Sequence, residues 1–181
     1  MSRTIFYTAT TLDGYIADEN DSLDWLFVQD IDKDGPMNYD AFIKDVGAIA
    51  MGATTYQWIL DHMARTDDTW AYDMPAWVFT HRTFADTEGD VRFVQGDVAE
   101  VHAEMVEAAG GKDVWVVGGG DLAAQFAEAK LLDELMLSIA PVTLGAGRPL
   151  FPRKYDLTLT ELAQNGAFLC ARYDVVGPRE N

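Results

Sequence analysis

Val114-Trp115-Val116-Val117-Gly118-Gly119-Gly120-Asp121-Leu122 is the stretch on which the fold turns. Four β-forming residues run without interruption into three glycines, and beyond them Leu122, Phe126 and Ala129 recur at helical spacing. The pattern reads as a buried strand, a turn free of side chains, and a helix that begins at once. The first N–H groups of such a helix have no intrahelical partner, and its dipole favours an anion beside them. A nucleotide pyrophosphate is commonly held in this way. Gly118-x-Gly120-x-x-Ala123 also fits a loose dinucleotide fingerprint. A strand-to-helix turn that needs small residues for packing would look the same, so both readings stand.

The device occurs twice. Gly47-Ala48-Ile49-Ala50-Met51 reads as a strand entering Gly52-Ala53-Thr54-Thr55-Tyr56, a second glycine followed by a helix start. Outward from these two units, Arg3 to Thr11 reads as a first strand closed by an Asp13-Gly14 turn, and Asp18 to Asp34 as an acidic loop carrying Leu23, Trp25, Leu26 and Phe27. A helix is expected from Pro36 to Asp45, with proline in its first turn. Strands follow at Ala76–Thr80 and Val91–Val94, then a helix started by Asp97, striped by Val98, Val101, Met105, Val106 and Ala109, and stopped by Gly110-Gly111. After a strand at Glu134–Ala140 and a glycine- and proline-rich loop from Pro141 to Pro152, two strands flank Asn165-Gly166, a strong hairpin signal. Strands alternating with helices and then a closing hairpin imply one α/β domain over residues 1–181, with a mostly parallel sheet and an antiparallel edge.

The totals narrow the function classes. The chain has 181 residues, 49% hydrophobic and 24% charged, which suits one globular domain with a sizeable core. A net charge of −17 repels nucleic acid and anionic membranes, so neither is an expected partner. A phosphate-bearing ligand must then be held by local donors. No apolar run approaches the roughly 18 residues of a membrane span, and the N-terminus enters a strand at once, so no leader is expected. The single Cys170 fits a reducing cytoplasm. Long edge strands lead to the expectation of a homodimer.

Three strand ends could do chemistry. Gly52-Ala53-Thr54-Thr55 and Gly118-Gly119-Gly120-Asp121 offer backbone N–H groups, and the two threonines add hydroxyls, either to a phosphate or to the helix as a cap. Thr80-His81-Arg82 ends a strand with a hydroxyl, an imidazole and a guanidinium; in so acidic a chain a cation there suits the 2′-phosphate of NADP, or is a solvated surface turn. Asp30-x-Asp32-x-Asp34-Gly35 copies half of a calcium loop, but Ala41 stands where a bidentate glutamate belongs, and the three histidines are too scattered for zinc. No metal is expected.

In four motifs the chain resembles the dihydrofolate reductase-like superfamily, and within it the small reductases related to the C-terminal reductase domain of bifunctional riboflavin-biosynthesis deaminase-reductases. The motifs are Ala9-Thr10-Thr11-Leu12-Asp13-Gly14-Tyr15-Ile16-Ala17; Met51-Gly52-Ala53-Thr54-Thr55-Tyr56; Val117-Gly118-Gly119-Gly120-Asp121-Leu122; and Asp133-Glu134-Leu135-Met136-Leu137-Ser138 followed by Gly145-Ala146-Gly147-Arg148-Pro149-Leu150-Phe151-Pro152. They span nearly the whole chain in the family's order. The resemblance implies a three-layer fold around a sheet of about eight strands, NADPH as hydride donor, and a pocket over the first strand. It places Ala9 and Ile16 at the nicotinamide, and Gly52, Ala53, Thr54, Thr55, Gly119, Gly120, Asp121 and Leu122 at the phosphates. It makes Gly118-Gly119 a cis peptide, sets Thr80, His81 and Arg82 at the adenosine end, and puts Trp25 beside the substrate, where it would otherwise be core. Relatives often carry a basic residue where this chain has Ala53, which leaves NADH open as the donor and shifts weight to Arg82.

Hydride transfer to a C=N or C=O carbon needs a proton donor or polariser beside the acceptor. In dihydrofolate reductases a carboxylate on the first helix serves, bonded to a hydroxyl on the strand that Ser138 matches. Here the matching place falls near Pro36 and Met37, so Asp40, one helical turn on, and Asp13, in the loop bordering the nicotinamide, are the candidates. Either is otherwise an ordinary helix or turn carboxylate. The expected activity is NADPH-dependent reduction of a small heterocyclic or carbonyl substrate, pterin- or pyrimidine-like. A riboflavin-pathway reaction such as 5-amino-6-(5-phosphoribosylamino)uracil reduction is the example. The alternative is a non-catalytic NADP(H)-binding sensor on the same fold.

Overall fold

The computed structural model describes residues 1–85 and 88–180. In chain order the elements are β1 (Thr4–Thr11), β2 (Tyr15–Ala17), α1 (Asp24–Phe27), α2 (Tyr39–Ile43), β3 (Val46–Gly52), α3 (Ala53–Arg65), β4 (Ala76–Phe79) and β5 (Val91–Val94). They continue with α4 (Val98–Ala109), β6 (Asp113–Gly118), α5 (Gly120–Glu128), β7 (Glu134–Ala140), β8 (Arg148–Pro149), β9 (Tyr155–Asn165) and β10 (Phe168–Pro178). An eight-stranded sheet has the order β5-β4-β3-β6-β1-β7-β10-β9. It is parallel from β5 to β7; β10 then runs antiparallel to β7, and β9 antiparallel to β10.

The uninterrupted apolar run of β6 is explained by burial on both faces, as expected of a central parallel strand. Val114 and Val116 join Phe6, Met105, Leu122 and Phe126 beneath α4 and α5. Trp115 points the other way, into a layer with Ile49, Met51 and Tyr56 beneath α3. Each large apolar side chain buried this way contributes about 1.5–3 kcal/mol. The α4 caps are those read from the sequence: Asp97 accepts the Ala99 amide at 2.9 Å, and Gly110 closes the helix at φ 61°. Gly47 lets α4 approach β3, since a Cβ there would lie 2.3 Å from the Ala109 carbonyl oxygen.

The region before β3 differs from expectation. The helix anticipated over Pro36–Asp45 is only Tyr39–Ile43, because Met37 takes a left-handed turn (φ 55°) and Asn38 is the cap, accepting the Ala41 amide at 2.8 Å. Asn165 makes this local break possible. Its buried side chain accepts the Asp32 amide and donates to the carbonyls of Asp32 and Pro36, pinning the acidic loop to the hairpin. The 141–152 loop also carries unanticipated structure: β8 pairs with β2 as a two-stranded antiparallel sheet. Asp13 fastens the two loops together. Its carboxylate accepts the Thr11 hydroxyl and the amides of Leu144 and Gly145, the last at 2.7 Å.

Replacing Gly47 with alanine forces backbone apart and is expected to lower stability by about 1–3 kcal/mol, read as a shifted denaturant midpoint. The Thr11 hydroxyl foremost, then the Gly145 and Leu144 amides, hold the Asp13 carboxyl below the usual carboxylate range. Its tie therefore forms fully above the unfolded-state pKa and is lost only as pH falls through the lower folded value. Asp13→Ala is expected to make the Leu144 and Gly145 amides exchange several-fold faster at neutral pH in a hydrogen-exchange measurement. Unchanged exchange would mean that the carboxylate does not hold this loop.

Candidate active site

Because β3 and β6 are hydrogen-bonded neighbours with Met51 opposite Gly118, their C-terminal corners lie side by side. Gly52 and Gly119 are the N-caps of α3 and α5, and neither supplies a side-chain cap. Both helices therefore begin with free amides. The corners touch: a Cβ on Gly118 would sit 3.1 Å from the Thr55 hydroxyl oxygen, and one on Gly119 would be 3.8 Å from the Ile16 Cδ1. The Gly118-Gly119 peptide is cis. Between and above these corners lies a cleft of about 710 Å³. Gly52 to Thr55, Gly118 to Leu122, Ile16, Thr80 and His81 all line it.

The two readings of the glycine turn apply to different glycines. Gly118 and Gly119 open onto the cleft, with no backbone atom near the Cβ each lacks. Gly120 is a packing residue: a Cβ there would lie 2.3 Å from the carbonyl oxygens of both Pro149 and Leu150. The start of α5 is thus clamped under β8, and β8 pairs with β2, which carries Ile16. Neither Thr54 nor Thr55 caps α3. Asp121 lines the cleft but is engaged along the helix surface, accepting from Gln125 at 2.8 Å and pairing with Arg153 at 3.2 Å.

At the end of β4, Thr80 is buried and its hydroxyl oxygen accepts the Arg82 amide at 2.9 Å. This bend leaves His81 on the cleft and turns Arg82 to an adjoining depression with Thr54, Trp58 and His62. Arg148 borders both spaces and grips Asp21 bidentately at 2.6 and 3.0 Å. Arg148 belongs to the 145–152 motif but carries no signal of its own there. Trp58 and Ile59, also in the lining, could have been found, since they stand three to five residues beyond Thr54 and Thr55 on one helix. Tyr72 and Gln95 come from loops far from both corners in sequence and carry no local signal.

Several sequence candidates are placed elsewhere. Among the described residues the cleft lining includes none of Ala9, Trp25, Asp13, Asp40 and Ser138. Trp25 packs with Ala140, Phe168 and Cys170, and Ala9 lies against the same cluster. Asp13 is consumed by the loop tie described above. Asp40 is exposed in the first turn of α2, because the late start of that helix carries it outward. Ser138 is opposite Cys170 in the sheet, its Oγ 3.8 Å from the Cys170 Sγ. The space over β1 is filled as well: the Tyr7 ring stacks on Phe42 at 4.3 Å, and its hydroxyl donates to the Met37 carbonyl. Thr8 is the residue of β1 that reaches the cleft lining.

A dinucleotide fits this arrangement by its chemistry. Two sets of free helix N-terminal amides face one space, the floor between them lacks side chains, and His81 and Arg148 supply donors in an otherwise acidic molecule. Among the described residues there is no cluster of three or more His, Cys, Asp or Glu suited to a metal, and no helix long and apolar enough to cross a membrane.

Known proteins point the same way. The uncharacterized protein YwjB of Bacillus subtilis (strain 168) is 30% identical over 150 residues, 82% of each chain. A crystal structure from Shewanella sp. PV-4, provisionally named a riboflavin biosynthesis protein, superposes with a TM-score of 0.81 at 25% identity, covering 96% of this chain and 99% of that one. Dihydrofolate reductase from Enterococcus faecalis, solved with NADP(H), shares the fold at a TM-score of 0.60 and 14% identity, over 96% of each chain. The family model of the RibD C-terminal domain matches residues 3–170. The chain is therefore a member of the RibD C-terminal domain family, on a dihydrofolate reductase-like fold.

Proposed function

We propose that this protein is an NADPH-dependent reductase of a small planar heterocyclic or carbonyl compound, of the kind handled in riboflavin-type pathways. The observation that carries the reading is the convergence of two uncapped helix N-termini, α3 and α5, on one glycine-floored cleft. The α3 and α5 amides, with the Thr55 hydroxyl between them, hold the pyrophosphate. Ile16, lying against Gly119, walls the nicotinamide, and the Thr80–Arg82 bend receives the adenosine end. When bound, the reduced nicotinamide supplies a hydride. His81 and the nearby Arg82 favour the extra phosphate of NADPH, although Ala53 offers it nothing. A second reading, a nucleotide-binding sensor without turnover, is favoured by one observation: Asp13, Asp40 and Ser138 all lie outside the lining.

The same reading includes a homodimer. Strand β9 is exposed along most of its length, and Leu157, Leu159 and Leu162 on it, with Leu169 on β10, form an uncovered apolar edge. A second copy of this edge is its natural cover.

Titrating NADPH is expected to quench tryptophan emission saturably through Trp58. Thr55→Val should weaken binding about tenfold, the loss of one hydrogen bond to a charged group. If neither NADPH nor NADH changes the emission or the melting temperature, the reductase and sensor readings both fail. Binding without turnover of any pterin, pyrimidine or simple carbonyl compound selects the sensor. Light scattering should give twice the chain mass, and Leu159→Glu combined with Leu162→Glu should halve it while leaving NADPH binding intact.

A further inference from the structure

Resting on the reductase reading, we propose that the Tyr72 hydroxyl donates the hydrogen bond, and then the proton, to the carbonyl oxygen of a neutral planar substrate. Tyr72 lies in the loop between α3 and β4 and lines the cleft. Its ring is held edge-on by Trp70 at 5.1 Å and Trp115 at 5.8 Å, which fixes its direction. Its hydroxyl makes no hydrogen bond within the described residues. Nor is its oxygen among the sealed polar atoms that lack a partner. An oxygen that is open, unpartnered and carried on a fixed ring beside the cleft is a donor waiting for an acceptor.

The Thr55 hydroxyl and His81 lie at the corners assigned to the cofactor, and three further polar groups on the lining are committed. The Thr8 hydroxyl donates to the Ala9 carbonyl, Asp21 is held bidentately by Arg148, and Asp121 is held by Arg153 and Gln125. The cleft that Tyr72 lines is walled also by Ile16, Leu23, Trp58, Ile59 and Val117. Such a site offers no free carboxylate to a cationic ring, and it rewards a neutral, flat, apolar one with a single acceptor oxygen. Burial, and secondarily Tyr39, push the Tyr72 phenol above its ordinary range, so it remains a proton donor throughout the neutral range.

The step balances. The carbonyl carbon receives a hydride, two electrons and one proton, from the reduced nicotinamide, and the C=O π pair moves onto oxygen. That oxygen takes the Tyr72 proton as the phenol O–H breaks, giving the alcohol. Solvent then reprotonates the phenolate, and the nicotinamide leaves oxidised.

The test uses the intact protein and 4-(dimethylamino)cinnamaldehyde, a neutral planar aldehyde whose absorption moves to the red when its carbonyl is polarised. The wild type, with and without NADP⁺, should shift the bound probe by tens of nanometres. Tyr72→Phe should abolish the shift with the probe's Kd changed less than about threefold, and should slow NADPH-driven reduction of the probe about 100-fold or more. Tyr39→Phe, outside the cleft, should do neither. Equal shifts in the wild type and Tyr72→Phe overturn the proposal, as does no shift in a wild type that binds NADPH. Failure to bind NADPH at all overturns the underlying reductase reading instead. Should Tyr72→Phe not fold, 3-fluorotyrosine incorporated at position 72 makes a stronger donor and must increase the shift; an unchanged shift overturns the proposal.

Discussion

Adjacency of β3 and β6 in a parallel register is the constraint on which the rest of this molecule depends. Parallel strands deliver their C-terminal ends to the same edge, and each of these two runs directly into a helix. The result is two helix N-termini, separated by little more than a strand spacing, with unpaired amides aimed into one space. A chain with net charge −17 has no long-range attraction to offer a phosphate. Short-range donors of this kind fall off within the first turn of a helix, so they serve only if the two corners meet. The contact of Thr55 with Gly118 shows that they do.

Much of the remaining structure supports that junction. Gly120 is locked beneath the carbonyls of Pro149 and Leu150, which orients α5. The β2–β8 ribbon carries Ile16 over Gly119, and Asp13 ties the ribbon's two approaches together through backbone amides. The Asp21–Arg148 pair spans the cleft and the depression beside it. Tyr7, Phe42, Trp115 and Tyr72 form an aromatic layer that reaches the cleft at Tyr72. The glycine corners belong to the parallel sheet, whereas much of the remaining lining comes from loops, which can vary without disturbing the corners.

The sheet and the two glycine corners were legible in the sequence because their signals are local. An apolar run buried on both faces, a glycine where the backbone turns, and an acidic cap before a striped helix each follow from short-range sterics and hydrogen bonding. The α2 boundary was not legible. Its proline favoured an earlier start, but Asn165, 129 residues beyond that proline, holds the Pro36 carbonyl and pins the chain in a different path.

What the sequence by itself determined, then, was the fold class, the family likeness and the two helix starts that face the ligand space. The tertiary structure alone decided which side chains complete that space. Residue type and motif position single out Asp13, Asp40, Ser138 and Trp25, but a side chain's neighbours depend on residues distant in sequence, which here bond Asp13 within a loop and pack Trp25 in a core cluster, outside the cleft lining. Tyr72 and Arg148 were unremarkable as letters. They matter because parallel crossovers bring loops separated by most of the chain to the same edge of the sheet, a proximity that no local pattern encodes.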